Sequence, residues 1–198
     1  MLFNTANKRD FTPKFEIDGK EIETVDQLKL LGVQITSDLK WNANTKYITR
    51  RGYSKLWILR RLKISGASEL KTIYCQNVRS ILEYASVVWH SGLTLENKAN
   101  IERVQKCALS IILGKDYISY ENAMSILDLE SLCRRREKLS IKFAKKSFKS
   151  EKFSSWFVPD ENPLNTRRKI KTVKPALART TRLSKSALPY LTSILNSV

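Results

Sequence analysis

The chain is poor in the residues that build most catalytic sites. It has 6 glycines, 3 cysteines and 1 histidine in 198 residues. The glycines are scattered and form no phosphate-cradling loop. Cys75, Cys107 and Cys133 are odd in number and far apart, which gives no sign of a disulfide framework or a Cys-x-x-Cys metal site and reads as reduced, buried thiols of an intracellular protein. His90 has no second ligand at metal or catalytic spacing, and is expected to follow a helix, where its charge would favour the helix dipole. Asp18, Asp26 and Asp38 sit at turn or strand-edge positions, and no two aspartates lie adjacent as a metal-binding pair. Long apolar runs are missing too. The best stretch, Val78 to Trp89, is too short to cross a bilayer and contains Arg79 and Glu83. The start, Met1-Leu2-Phe3-Asn4, lacks the pattern of a signal peptide. No membrane is expected as a partner.

What is abundant is positive charge. The formal net charge is +17 and the sequence pI is near 9.9. Such a balance points to nucleic acid as the partner. The charge is uneven: residues 1–45 carry 6 Lys/Arg against 7 Asp/Glu, residues 46–63 carry 7 Lys/Arg and no acid, and residues 134–198 carry 17 against 4. Two basic blocks flank a nearly balanced middle.

The apolar pattern predicts an α+β chain that is mostly α. Phe15 and Ile17, then Asp18-Gly19, then Ile22 and Val25 read as a β-hairpin, because Asp-Gly favours the turn that matches strand twist. Leu28 to Ile35 reads as one further strand, with Gly32 as a bulge or a point of close backbone approach. A sheet this small needs cover from helices or from outside the chain. A first helix is predicted over 44–63. At 100° per residue, Ile48, Gly52, Leu56, Leu59 and Leu62 share one face, while Lys46, Arg50, Tyr53, Trp57, Arg60 and Arg61 share the other. Cations neutralise phosphates and aromatic planes stack on bases, so the second face is the candidate nucleic-acid surface. The plainer reading is a solvated basic face with Trp57 packed on the sheet.

The next helix is predicted from about Ser68 to Trp89. It contains the densest apolar run of the chain, Ile81 to Gly92, and reads as the buried centre of a bundle, with Arg79 and Glu83 paired. Thr94 is a cap for a helix to Leu113 that buries Ile101, Val104, Cys107, Ala108, Ile111 and Ile112. Ser119 caps a short helix, and a last long helix over 130–149 turns Leu132, Leu139, Phe143 and Ala144 inward. Its outer positions, Arg134, Arg135, Arg136, Lys142, Lys145 and Lys146, are further nucleic-acid candidates. Residues 150–187, with three prolines and the run Arg167 to Lys171, read as an extended, partly disordered basic arm, followed by a short docking helix near Ile194-Leu195.

Several blocks together resemble the C-terminal part of non-LTR (LINE-type, jockey-like) retrotransposon reverse transcriptases. They are Lys29-Leu30-Leu31-Gly32-Val33 with Asp38-Leu39-Lys40-Trp41, then Leu82-Glu83-Tyr84-Ala85-Ser86 with Trp89, then Ile101-Glu102-Arg103-Val104-Gln105-Lys106. Leu129-Glu130-Ser131-Leu132 before Arg134-Arg135-Arg136, and Thr180 to Asn196, follow in the same order. The resemblance covers nearly the whole chain. It implies a remnant of the palm over 1–43 with primer-grip-like strands, a helical thumb-like bundle over 44–149, and a basic C-terminal arm over 150–198. It also implies duplex binding by the first thumb helix, the rest of the polymerase as a partner, and a nuclear setting for the parent element. The aromatic-x-Asp-Asp motif that binds Mg2+ in such enzymes is not in this sequence, so no cofactor is expected on this chain and it is expected not to polymerise alone. The alternative is a free-standing RNA- or DNA-binding protein derived from such an element.

Overall fold

The computed structural model describes residues 14–160 and 173–197. The basic run Arg167 to Lys171 lies outside them. The architecture is α+β and mostly helical: two small antiparallel strand pairs precede a helical bundle.

Strand β1 (Phe15–Ile17) pairs with β2 (Lys20–Ile22) around Asp18-Gly19, both at positive φ, as the Asp-Gly signal requires. Residues 27–36 depart from the single strand expected. They form a second hairpin, β3 (Gln27–Leu30) and β4 (Val33–Thr36), turning at Leu31-Gly32. Leu31 and Gly32 are both left-handed, with φ 46° and 86°, which is the two-residue hairpin geometry with the glycine second. The close approach at Gly32 is real: a Cβ there would lie 3.2 Å from the Tyr84 ring, and the Tyr84 hydroxyl donates to the Leu31 carbonyl at 2.9 Å. The four strands make two separate sheets rather than one. Only β4 enters the core, through Val33 and a bond from the Gln34 N–H to Asn44 Oδ1 at 3.1 Å. Phe15, Ile17, Ile22, Leu28, Leu30 and Leu31 stay exposed.

Helix α1 (Asn42–Arg61) buries Ile48, Gly52, Leu56 and Leu59 as its period predicts, whereas Leu62 lies past its end and is exposed. The central segment is not one rod. Helix α2 (Ala67–Tyr74) widens into a π-helical turn at Cys75–Arg79, resumes as α3 (Ser80–Glu83), and stops at Ala85. Ala85 takes φ 50°, a left-handed conformation that costs an L-residue about 1–2 kcal/mol. The fold compensates locally, because the Trp89 indole N–H donates to the Tyr84 carbonyl freed by the break, at 3.0 Å. Helix α4 (Ser86–Trp89) follows the break, so the apolar run is an elbow and not the wholly buried helix expected: Leu82, Ser86, Trp89 and His90 are buried, whereas Tyr84 and Val88 are exposed. Glu83 does not pair with Arg79; it takes Arg135 instead.

Thr94 caps α5 (Leu95–Leu113) and Ser119 caps α6 (Tyr120–Ile126), each hydroxyl accepting a first-turn N–H. Ser131 does the same for α7 (Leu132–Phe148). Cys107 faces solvent, not the core, and Cys75 and Cys133 are only partly buried. A buried polar hub ties these helices. Gln105 accepts from the Tyr74 hydroxyl at 2.6 Å and donates to the Tyr120 hydroxyl at 2.8 Å and the Glu130 carbonyl at 3.0 Å. The Tyr120 hydroxyl also bonds Glu102, whose carboxylate accepts the Leu132 N–H at the start of α7.

The expected disordered arm is partly structured. After the 3-10 turn Glu151–Trp156, Phe157 and Val173 are buried in a second cluster with Ala144, Leu191 and Ile194. The Asn196 side chain clamps Val173, accepting its N–H and donating to its carbonyl, both at 2.9 Å. Helix α8 (Thr181–Ser184) leads into α9 (Ala187–Ser197), a longer helix than expected; Pro189 is tolerated in its first turn, where no N–H is needed.

Gly52 marks the tightest helix contact. A Cβ on it would meet Val104 Cγ1 at 3.0 Å and Leu82 Cδ2 at 3.1 Å, so α1, α3 and α5 close on this point. Gly52→Val overpacks it and is expected to lower stability by about 1–3 kcal/mol in urea unfolding; an unchanged midpoint would contradict this packing.

Candidate nucleic-acid interface

Helix α1 presents the expected ladder to solvent. Lys46, Arg50, Tyr53, Trp57, Arg60 and Arg61 are all exposed. Trp57 does not pack on the sheet: it is half exposed, and the Arg61 guanidinium lies over its ring at 5.8 Å from the centroid. That contact holds the indole plane beside a cation. The Tyr53 hydroxyl lies close to Cys107 and Arg103, and burial beside the Cys107 thiol holds its pKa above the usual phenol value.

The structure adds a second wall that the sequence reading missed. Asn97 Nδ2 donates to Asn42 Oδ1 at 2.7 Å, and Gly52 lies on Val104, so α1 and α5 run in the same direction from adjacent N-termini. A polar groove of about 480 Å³ lies between them, lined by Lys46, Thr49 and Tyr53 on one side and by Asn100 and Arg103 on the other. Arg103 is exposed and bonded to Asn100 at 2.7 Å. Thr45 is buried at the groove with its hydroxyl unpartnered among the described residues. Glu96 is the one acid on this lining. The signal was present in the sequence: Asn100, Arg103, Lys106 and Ser110 fall on the face of α5 opposite its buried positions.

The α7 candidates divide. Lys142, Lys145 and Lys146 are exposed. Arg134 is exposed but within 3.9 Å of Glu130, which also binds Lys138. Those cations hold the Glu130 carboxyl below its usual range. Arg135 makes a two-pronged bond to Glu83, Nε to Oε1 at 2.5 Å and Nη2 to Oε2 at 3.2 Å, which locks α7 to α3. Arg136 is overturned as a binding residue, because it is fully buried. Its guanidinium lies over the Trp89 ring at 5.7 Å, and its Nε donates to His90 Nδ1 at 3.3 Å. The helical period explains the error: residues 132, 136, 140 and 144 form the inner stripe, and a run of three arginines must put one of them on it.

His90 is correspondingly not a cation at a helix end. It is buried, and burial first, then the Arg136 and Lys98 charges, push its pKa down to about 4. His90, Cys133 and Glu137 place three potential ligand atoms within 4.8 Å of one another. The donor set is poor for a metal. Nδ1 already accepts from Arg136, so the neutral ring carries its proton on Nε2, and a guanidinium adjoins the group.

Comparison with protein families, with curated proteins and with solved structures found no match.

The His90 environment generates a pH prediction. Its folded-state pKa of about 4 lies below the ordinary value of 6.5, so the unfolded chain binds the extra proton between these values. Stability is therefore flat in this term above pH 6.5 and falls as pH drops toward 4, by on the order of 3 kcal/mol. Urea titrations across this window should show the loss in the wild type and a shallower slope in His90→Gln. Equal slopes would remove His90 as the cause.

Proposed function

We propose that this chain is the C-terminal part of a non-LTR retrotransposon reverse transcriptase, comprising the end of the palm, the thumb and a C-terminal extension, and that it contributes template–primer binding. The observation that carries the reading is the exposed cation–aromatic ladder of α1, from Lys46 to Arg61, facing no acid on its own helix and widened by Arg103 across the groove. Cations at successive turns of one helix match phosphates along a backbone, and Tyr53 and Trp57 offer planes to sugars or bases between them. The sequence blocks that resemble these enzymes fall on structurally meaningful positions. Val104-Gln105 contributes the polar hub, Tyr84 to Trp89 the elbow, and Asn196 the clamp on Val173.

The hairpins support the same reading. Two-stranded sheets with Phe15, Ile17, Ile22, Leu28 and Leu30 uncovered are marginal by themselves, and a larger palm sheet is the kind of neighbour that would cover them. That neighbour would also supply the aspartates and the Mg2+ for nucleotide transfer. The role of this chain is to hold the duplex.

Arg50→Ala, Arg60→Ala and Arg61→Ala combined should weaken binding to a short RNA–DNA duplex by at least ten-fold and lower the log–log salt slope by about 2–3. The chain alone, given template–primer and Mg2+, should incorporate no nucleotide. Intact affinity and slope in the triple variant would refute the α1 assignment, and real incorporation would refute the reading as a non-catalytic part.

A further inference from the structure

A second cavity opens where the groove between α1 and α5 reaches the N-termini of the two helices. It also measures about 480 Å³, within the range of roughly 300–1,000 Å³ usual for small-ligand sites. Its character differs from that of the groove. Trp41, Val88 and Leu183 give it apolar walls, and Arg182 and Lys185 bring cations to its lining. Lys40 adds a third, partly neutralised by Asp38 at 3.2 Å. The Trp41 indole lies against Gly92 so closely that a Cβ there would stand 2.5 Å from its Nε1. The cavity and the groove adjoin on either side of the Asn42–Asn97 hydrogen bond, and both residues line each of them. Helix α1 begins at this junction with no side-chain cap on its first turn and no acid in it.

An apolar slot with an aromatic wall, edged by cations and adjoining a polar groove, matches one nucleotide of a single strand: base inside, phosphates at the rim. We propose that this cavity accepts an unpaired base of a single-stranded nucleic acid whose backbone runs along the groove between α1 and α5. The inference rests on the nucleic-acid reading of α1 and extends it from duplex to single strand. A base within a duplex cannot enter, since its faces are stacked and its edge paired. Charge and the adjoining polar groove select this occupant. An apolar peptide would leave Arg182 and Lys185 without counter-charge.

The test uses the whole chain and a labelled thymidine oligomer of about twelve nucleotides. An otherwise identical abasic oligomer keeps every phosphate and removes every base. The thymidine strand should bind about ten-fold more tightly than the abasic one. Val88→Ser with Leu183→Ser, both at exposed positions, leaves the charge unchanged and should bring thymidine binding down to the abasic level without altering duplex affinity. Equal binding of the two oligomers to the wild type would overturn the proposal. So would a double variant that keeps the ten-fold preference. Displacement of the strand by thymidine monophosphate at concentrations matching its nucleotide content would replace the strand with a free nucleotide as occupant, and overturn it likewise. The α1 triple variant separates the two readings: if it loses duplex binding while the oligomers bind alike, the α1 surface stands and the base pocket fails. Absence of binding to all three probes removes both.

Discussion

The contact of Gly52 with Val104 and Leu82 sets the spacing on which the outer surface depends. With no side chain at this position, α1 settles between α3 and α5 until its backbone almost touches their side chains. Two consequences follow. The buried stripe Ile48, Leu56 and Leu59 reaches full burial. The opposite face, with its cations and aromatics, is then lifted beside Arg103 on α5 at a separation that leaves a groove. A larger residue would widen the helix pair and spread the two walls. The same helix packing therefore makes both the core and the candidate site.

Much of this was legible in the sequence, because helical period and capping chemistry are local. The α1 faces, the Thr94 and Ser119 caps and the Asp18-Gly19 turn are each fixed by residues within a few positions of one another. What was not legible was partnership. Leu31-Gly32 reads as a strand interior until Tyr84, more than fifty residues away, is seen bonding its carbonyl. Leu28 to Ile35 then has to fold back on itself. The elbow at Ala85 is similar: nothing nearby breaks a helix there, and the conformation holds because Trp89 satisfies the carbonyl that the break exposes.

Arginine gave the clearest divergence. A run of three on an amphipathic helix cannot all face water, and the middle of the bundle received Arg136. Its burial is only partly offset by the Trp89 ring, by His90 and by the field of Glu83, Glu102 and Glu137: burial still holds its pKa below the usual value, and Nη1 and Nη2 have no hydrogen-bond partner among the described residues. The interaction is reciprocal. Burial holds His90 neutral first, and the Arg136 charge adds to it, because a second buried cation at that distance is unfavourable. Residues that look basic and available in the sequence thus became a structural knot joining α4 to α7. Arg135 did so as well, through Glu83. The free cations of the region are left on α1, on α5 and on the outer positions of α7.

That redistribution bears on function. Counting charge assigns equal weight to every basic block, whereas the structure withdraws Arg135 and Arg136 and partly withdraws Arg134, but leaves the α1 ladder without an acidic partner on its own helix. Solvated cations retain their counterions and release them on meeting a phosphate, which is the source of binding free energy at low salt. Cations already paired with carboxylates release none and must break an existing bond. The α1 face and its neighbour on α5 therefore keep cations that no carboxylate of their own stripe engages, and it is this, rather than the total of basic residues, on which the proposed binding surface rests.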